Sequence, residues 1–194
     1  MPRKVTRANQ KIAKLMDKVF GGNSTIQLHG DEEEKSVIDI LKSADAPVEG
    51  VTSYSTIGLS DSPLYHNGVE YPVRIEIVGA CASSVEKFDN ALGTAAFCII
   101  NSKWFCYPGA VFNDVLSMYN LSSSMQHFFF CPPFLWEDEL TVITIGGKKL
   151  TWLLAVPISE EELVFCEKYG PDKLSYVLEE NKVDIFDIER PSVI

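Results

Sequence analysis

No apolar run in this chain approaches the roughly 20 residues that a helix needs to cross a bilayer, so a helical membrane span is not expected. The opening segment Met1-Pro2-Arg3-Lys4-Val5-Thr6-Arg7 is basic but lacks the apolar stretch and small-residue cleavage site of a secretory signal. The expected location is therefore the cytoplasm. Cysteine is sparse and unpatterned, with five residues at 81, 98, 106, 131 and 166 and no CxxC. Such an odd, scattered set builds neither a disulfide framework nor a zinc site, and it fits a reducing compartment. Cys98 and Cys166 fall in helical patterns beside apolar residues, where a thiol behaves as a small hydrophobe. Positive charge is short as well: 17 Lys and Arg stand against 27 Asp and Glu, a formal net charge of −10. Phosphate backbones and anionic bilayers both require a basic footprint, so direct binding to nucleic acid or membrane is not expected. A basic protein partner would be drawn in by such a field, and the same charge also serves solubility.

The signatures of catalysis are missing too. No G-x-G-x-x-G opens a helix, and no G-x-S-x-G presents a nucleophile. Gly146-Gly147-Lys148-Lys149 invites comparison with a phosphate loop, but Val142 stands where the first glycine belongs and Lys149 where a hydroxyl would hold magnesium. His29, His66 and His127 lack the i, i+4 spacing of a helical metal site. No enzyme, no metal and no cofactor is expected. The remaining catalytic possibility is a Cys-His pair assembled in space from Cys81, Cys106 or Cys131, which spacing does not support.

What is present describes a folded α+β chain. Apolar residues make up 46% of it, and 194 residues fit one domain over 1–194. Its N-terminal helix is expected within 1–22 and its tail at 189–194, with the extreme residues free to fray. Ile12, Leu15, Met16 and Val19 follow helical spacing up to Gly21-Gly22. Val37 to Leu41, Val51 to Ile57, Val73 to Val78 and Phe128 to Phe130 read as strands. Asn67-Gly68 and Gly146-Gly147 predict hairpins. Trp152 to Val156 reads as a central strand buried on both faces. Ser83 and Glu86 stand at capping-box spacing and predict a core helix starting there, with Phe88, Leu92, Ala95, Ala96, Ile99 and Ile100 on its apolar face. Ser159 and Glu162 repeat that spacing ahead of a helix stopping at Gly170, and Pro171 opens another. Val183 to Ile188 is a short strand or an extended tail. The expected architecture is a twisted, mostly antiparallel or mixed sheet with helices packed on it.

Three polar features remain. Thr52 to Asp61 is dense in hydroxyls, which suits either a ligand-facing ledge or a hydrogen-bonded corner. Arg74 and Glu76 lie two apart in an apolar strand and share a face, as an ion pair or as a recognition pair. Acidic clusters stand at Asp31-Glu32-Glu33-Glu34 and Glu137-Asp138-Glu139, beside a third at Glu160 to Glu162 that helix capping explains.

Four segments taken together resemble the suppressor-of-fused-like domain: Thr52 to Ser60, Arg74-Ile75-Glu76-Ile77, Phe134-Leu135-Trp136-Glu137 and Trp152 to Glu162. The resemblance runs from about Phe20 to Asp187 and rests most on Thr52, Thr56, Gly58, Ser60, Arg74, Glu76, Trp136 and Pro157. Val51 to Asp61, Val78-Gly79-Ala80-Cys81 and Asp184 to Ile188 are similar to bacterial antitoxins of that family. The resemblance implies an immunity protein that silences a cognate LXG-type toxin with a nuclease domain, acting on DNA, by occluding it. Asp31, Glu32, Glu33, Glu34, Glu137, Asp138 and Glu139 are then the expected partner-facing groups. The alternative is a peptide-binding adaptor that uses an edge at Thr52 to Asp61 and the Arg74/Glu76 face.

Overall fold

The computed structural model describes residues 5–31 and 35–194. In chain order its elements are α1 (Arg7–Val19), β1 (Thr25–Gly30), β2 (Val37–Ala44), β3 (Val51–Ile57), β4 (Tyr65–His66), β5 (Val69–Glu70) and β6 (Val73–Ala82). There follow α2 (Phe88–Ser102), β7 (Val111–Phe112), β8 (His127–Cys131), β9 (Ile143–Ile145), β10 (Lys148–Ile158), α3 (Glu160–Tyr169) and α4 (Pro171–Glu180). The main sheet runs β1-β2-β3-β6-β10-β8-β7, with β9 paired to β10, while β4 and β5 form a separate hairpin. Every pairing is antiparallel except β6 with β10. The expected mixed, mostly antiparallel sheet is what the chain builds.

Alternation along the strands divides the core in two. Ile38, Ile40, Tyr54, Ile75, Ile77, Phe128, Phe130 and Leu153 face α2 and its Phe88, Leu92, Ala95, Ala96 and Ile99. Leu41, Ile57, Val78, Phe129, Trp152, Leu154 and Val156 face the other way, toward Ile12 and Met16 of α1 and Leu163, Leu174 and Leu178 of α3 and α4. β10 lies between β6 and β8 under both layers, which explains its unbroken apolar run.

Helix ends follow local chemistry. The Thr6 side chain accepts from the Asn9 amide to start α1, and Ser159 and Glu162 form the expected capping box of α3. The box expected at Ser83 and Glu86 does not form. Lys87 takes a left-handed φ of 65° that no helix continues through, so α2 begins only at Phe88. The Ser83 hydroxyl is instead paired with that of Thr52 at 2.7 Å, and its amide donates to the Gly50 carbonyl. Val183 to Ile188 adds no strand, although the Phe186 carbonyl accepts from the amide of Ala82.

A contact at Gly109 locks α4 onto the β7–β8 side of the sheet. Gly109 has φ +100°, donates its amide to the Phe130 carbonyl at 2.7 Å, and faces Pro171 so closely that a Cβ there would lie 2.9 Å from the ring. Gly109→Ala is expected to cost about 3 kcal/mol from backbone strain and overlap together. Gly50→Ala, at φ +80° with open space around it, should cost only about 1 kcal/mol. Urea midpoints at unchanged slope give both values, and equal losses would show that the Pro171 contact carries no weight.

Candidate partner-binding surface

The hydroxyl-rich segment and Glu76 form one buried anchor. Gly58, at φ 94°, turns the chain out of β3 into a short 3-10 turn over Leu59–Asp61. That turn aims three successive amides inward, a backbone nest suited to an anion. The Glu76 carboxylate fills it. Oε1 accepts from the amides of Gly58 (2.9 Å) and Ser60 (3.1 Å) and from the Ser60 hydroxyl (2.6 Å). Oε2 accepts from the Leu59 amide (3.2 Å) and the Thr56 hydroxyl (2.6 Å). The Thr56 oxygen in turn accepts from the amide of Ile77. Glu76 is completely buried, and burial pushes its carboxyl above the ordinary value against the pull of the Ser60 and Thr56 hydroxyls and the backbone donors. All five partners donate, which suits the acceptor-only, ionised carboxylate.

Neighbouring motif residues are engaged as firmly. Asn9 of α1 donates to Asp61 at 3.1 Å. Arg74 pairs with Glu70 of the β4–β5 hairpin and not with Glu76, which corrects the expected pair, because the nest already satisfies Glu76. Trp136 is buried and packs its ring 4.9 Å from that of Phe20, just past the end of α1. Pairing of β10 with β6 stops at Leu154, so Pro157 lies beyond it and its carbonyl is left for a side chain. Arg190 takes that carbonyl at 3.1 Å and grips Glu162 with two bonds of 2.6 and 2.8 Å. Expected to fray, the last residues are tied down by this buried fork, and the Val193 amide also donates to Glu162. The sequence offered little sign of the clamp, since capping already explained Glu162.

These placements remove the ledge. β3 lies between β2 and β6, so Thr52 to Ile57 is interior and offers no edge to a peptide. Thr52, Thr56, Gly58, Arg74, Glu76, Trp136 and Pro157 are buried and Ser60 is half-buried. They hold the fold.

The acidic segments lie outside. The β1–β2, β3–β6 and β8–β10 connections all leave the sheet at one end, because Gly30 pairs with Val37, Ile57 with Asp39, Lys149 with Val73 and Cys131 with Leu154. Asp31 and Glu137-Asp138-Glu139 therefore occupy the same end, on flanks five strand spacings apart, about 24 Å. Glu137, Asp138 and Glu139 are exposed. Burial alone would raise the Asp31 carboxyl, but the amides of Ser36 and Lys35 and the side chain of Asn101 hold it below its ordinary value. Glu32, Glu33 and Glu34 lie outside the described residues.

The titratable residues that could have formed a nucleophilic site are dispersed. Burial pushes the thiols of Cys81 and Cys131 up to about 12, the reverse of what an attacking thiolate needs. His66 stacks on Phe105. His127 accepts from the Asp114 amide at Nδ1, so Nε2 carries the proton toward Glu160 at 3.1 Å. Among the described residues there is no cluster of His, Cys, Asp and Glu suited to a metal ion, and no helix is long and apolar enough to cross a membrane.

A mixed α+β domain whose motif residues are spent on its own interior is the class to which fold and site point. Residues 34–191 match the family described as suppressor of fused protein (SUFU), and the chain belongs to that family. It is 46% identical over 190 residues to the immunity protein YqcF of Bacillus subtilis (strain 168), covering 98% of this chain and 99% of that protein. A putative SUFU homologue from Neisseria gonorrhoeae FA 1090 shares the fold with a TM-score of 0.68 at 17% identity, over 96% of this chain and 97% of that one. Drosophila Suppressor of Fused does so with a TM-score of 0.64 at 13% identity, over 96% of this chain and 51% of its own length.

Glu76→Gln, which keeps the shape but puts an amide donor against existing donors, is expected to cost about 3 kcal/mol. Arg190→Ala leaves the Glu162 charge buried without its partner and should cost about 3 to 5 kcal/mol. Chemical denaturation of the two variants checks both, and a loss under 1 kcal/mol in either would show that its carboxylate is not an anchor.

Proposed function

We propose that this chain is an antitoxin, an immunity protein that binds a cognate protein toxin and blocks it by occlusion without making or breaking bonds. One observation carries the reading: near full-length similarity, at 46% identity, to a protein named as an immunity protein. The finer reading is that the toxin is of the LXG type with a nuclease domain acting on DNA, and that the meeting takes place in the cytoplasm. A nuclease cleft must attract a polyanion and is commonly basic, so a compact protein of net charge −10 suits it in sign. Two acidic flanks about 24 Å apart on one end of the sheet would span such a cleft, with Asp31, which Glu32, Glu33 and Glu34 follow in sequence, on one side and Glu137, Asp138 and Glu139 on the other.

The direct test is co-expression with the nuclease domain of an LXG toxin encoded beside this chain. Restored growth and a stoichiometric complex are expected, and continued killing by a toxin that fails to bind rejects the role. Replacing Glu137, Asp138 and Glu139 together by lysine is expected to slow association about tenfold at low salt. The difference should fade toward 1 M salt, where screening acts within about 3 Å. Stopped-flow mixing reads it, and an unchanged rate removes these three residues from the interface.

A further inference from the structure

The main sheet ends in two very different edges. β7 is 2 residues long, whereas β1 has 6. β1 pairs with β2 on one side only, and no strand among the described residues lies on its other side. Thr-Ile-Gln-Leu-His-Gly carries no lysine, no acid and no proline, the devices with which proteins blunt an open edge. Ile26 and Leu28 instead stand 54% and 58% exposed, on the face opposite α2, since their register partners are Leu41 and Asp39.

The other face of β1 borders two grooves. One, of about 550 Å³, is walled by His29, Gly30 and Asp31 against Asn90, Thr94 and Asn101 of α2. The second, of about 510 Å³, is walled by Thr25 and Gln27 against Lys42, Lys87, Glu86 and Asp89. Between them the buried Nε2 of His29 has no hydrogen-bond partner and stands 3.6 Å from the Asp89 carboxylate. An edge strand with apolar side chains on one face and polar grooves along the other is shaped for an incoming strand, whose side chains alternate in the same way.

Charge selects the occupant. β1 runs directly into Asp31 and the acids that follow it in sequence. A second copy would bring −10 against −10, so a positively charged segment is favoured over self-pairing. We propose that β1 is a docking edge for an extended, basic segment of the partner protein. The segment adds as a further strand, lays one set of side chains on Ile26 and Leu28, and sends the alternate set into the two grooves. This deepens, and rests on, the reading of the chain as a toxin-binding protein.

The test uses the full chain and two synthetic octapeptides, (Lys-Val)4 and (Glu-Val)4, with backbone amide exchange as the readout. (Lys-Val)4 at ten times its dissociation constant should slow exchange across Thr25 to Gly30 about tenfold. (Glu-Val)4 should not, and Leu28→Lys should abolish the effect at an unchanged melting temperature. The same variant should fail to protect cells in co-expression. The proposal is overturned if β1 is not slowed, if both peptides slow it equally, or if slowing appears without peptide as protein concentration rises, which would make a second copy the occupant. Basic-peptide protection of β1 in a wild-type chain that does not rescue cells would support the edge and reject the toxin.

Discussion

A carboxylate taken out of water is the constraint around which one end of this molecule is arranged. Burying a charge costs several kcal/mol unless hydrogen bonds replace its hydration. Glu76 recovers that cost from a single short stretch of chain, Thr56 to Ser60. The exchange fixes where β3 must end, forces the left-handed turn at Gly58, and ties β3 to β6 through Thr56 and the Ile77 amide. Asp61 then sits where Asn9 of α1 can reach it. The start of the first helix, whose Ile12 and Met16 pack into the core, is thereby tied to the same turn.

The opposite end of the sheet repeats the logic with different parts. Glu162 is held by an arginine fork, by the capping serine's amide and by the amide of Val193. With both ends fixed, the outer surface presents a preformed shape. A protein that works by blocking another gains affinity when little of its surface must be ordered on contact. The polar groups of the Thr56–Ser60 turn are consumed inside, and we therefore propose that partner recognition falls to exposed acids and to the sheet edge.

Much of the architecture was legible in the sequence because it is local. Helical spacing at Ile12 to Val19, the two glycine hairpins, the strand of β10 and the capping box at Ser159 all formed where short-range rules place them. The rule failed at Ser83, where pairing with Thr52 across the β3–β6 ladder outweighed capping and Lys87 adopted a turn. Arg74 and Glu76 were correctly set on one face, but their partners come from Glu70 and from the Gly58 nest, contacts that alternation alone does not reveal. The Arg190–Glu162 fork joins residues 28 apart in sequence, and no periodic pattern encodes such a match. Edge status was equally hidden. Thr52 to Ile57 reads like any half-polar strand until strand order places it inside the sheet.

The middle of the sheet has a consequence for time as well as for shape. Its parallel pair joins Val73 to Lys149 and Val78 to Leu154, so the centre closes only after the whole intervening chain, α2 included, has been looped out. Pairings this distant must meet the entropy of closure before any contact rewards them, and domains built on them fold slowly. For a protein that we propose guards a cell against a toxin made beside it, a slow search by β10 for β6 would lengthen the interval between synthesis and protection. A supply of already folded molecules would then matter as much to survival as the strength of their grip.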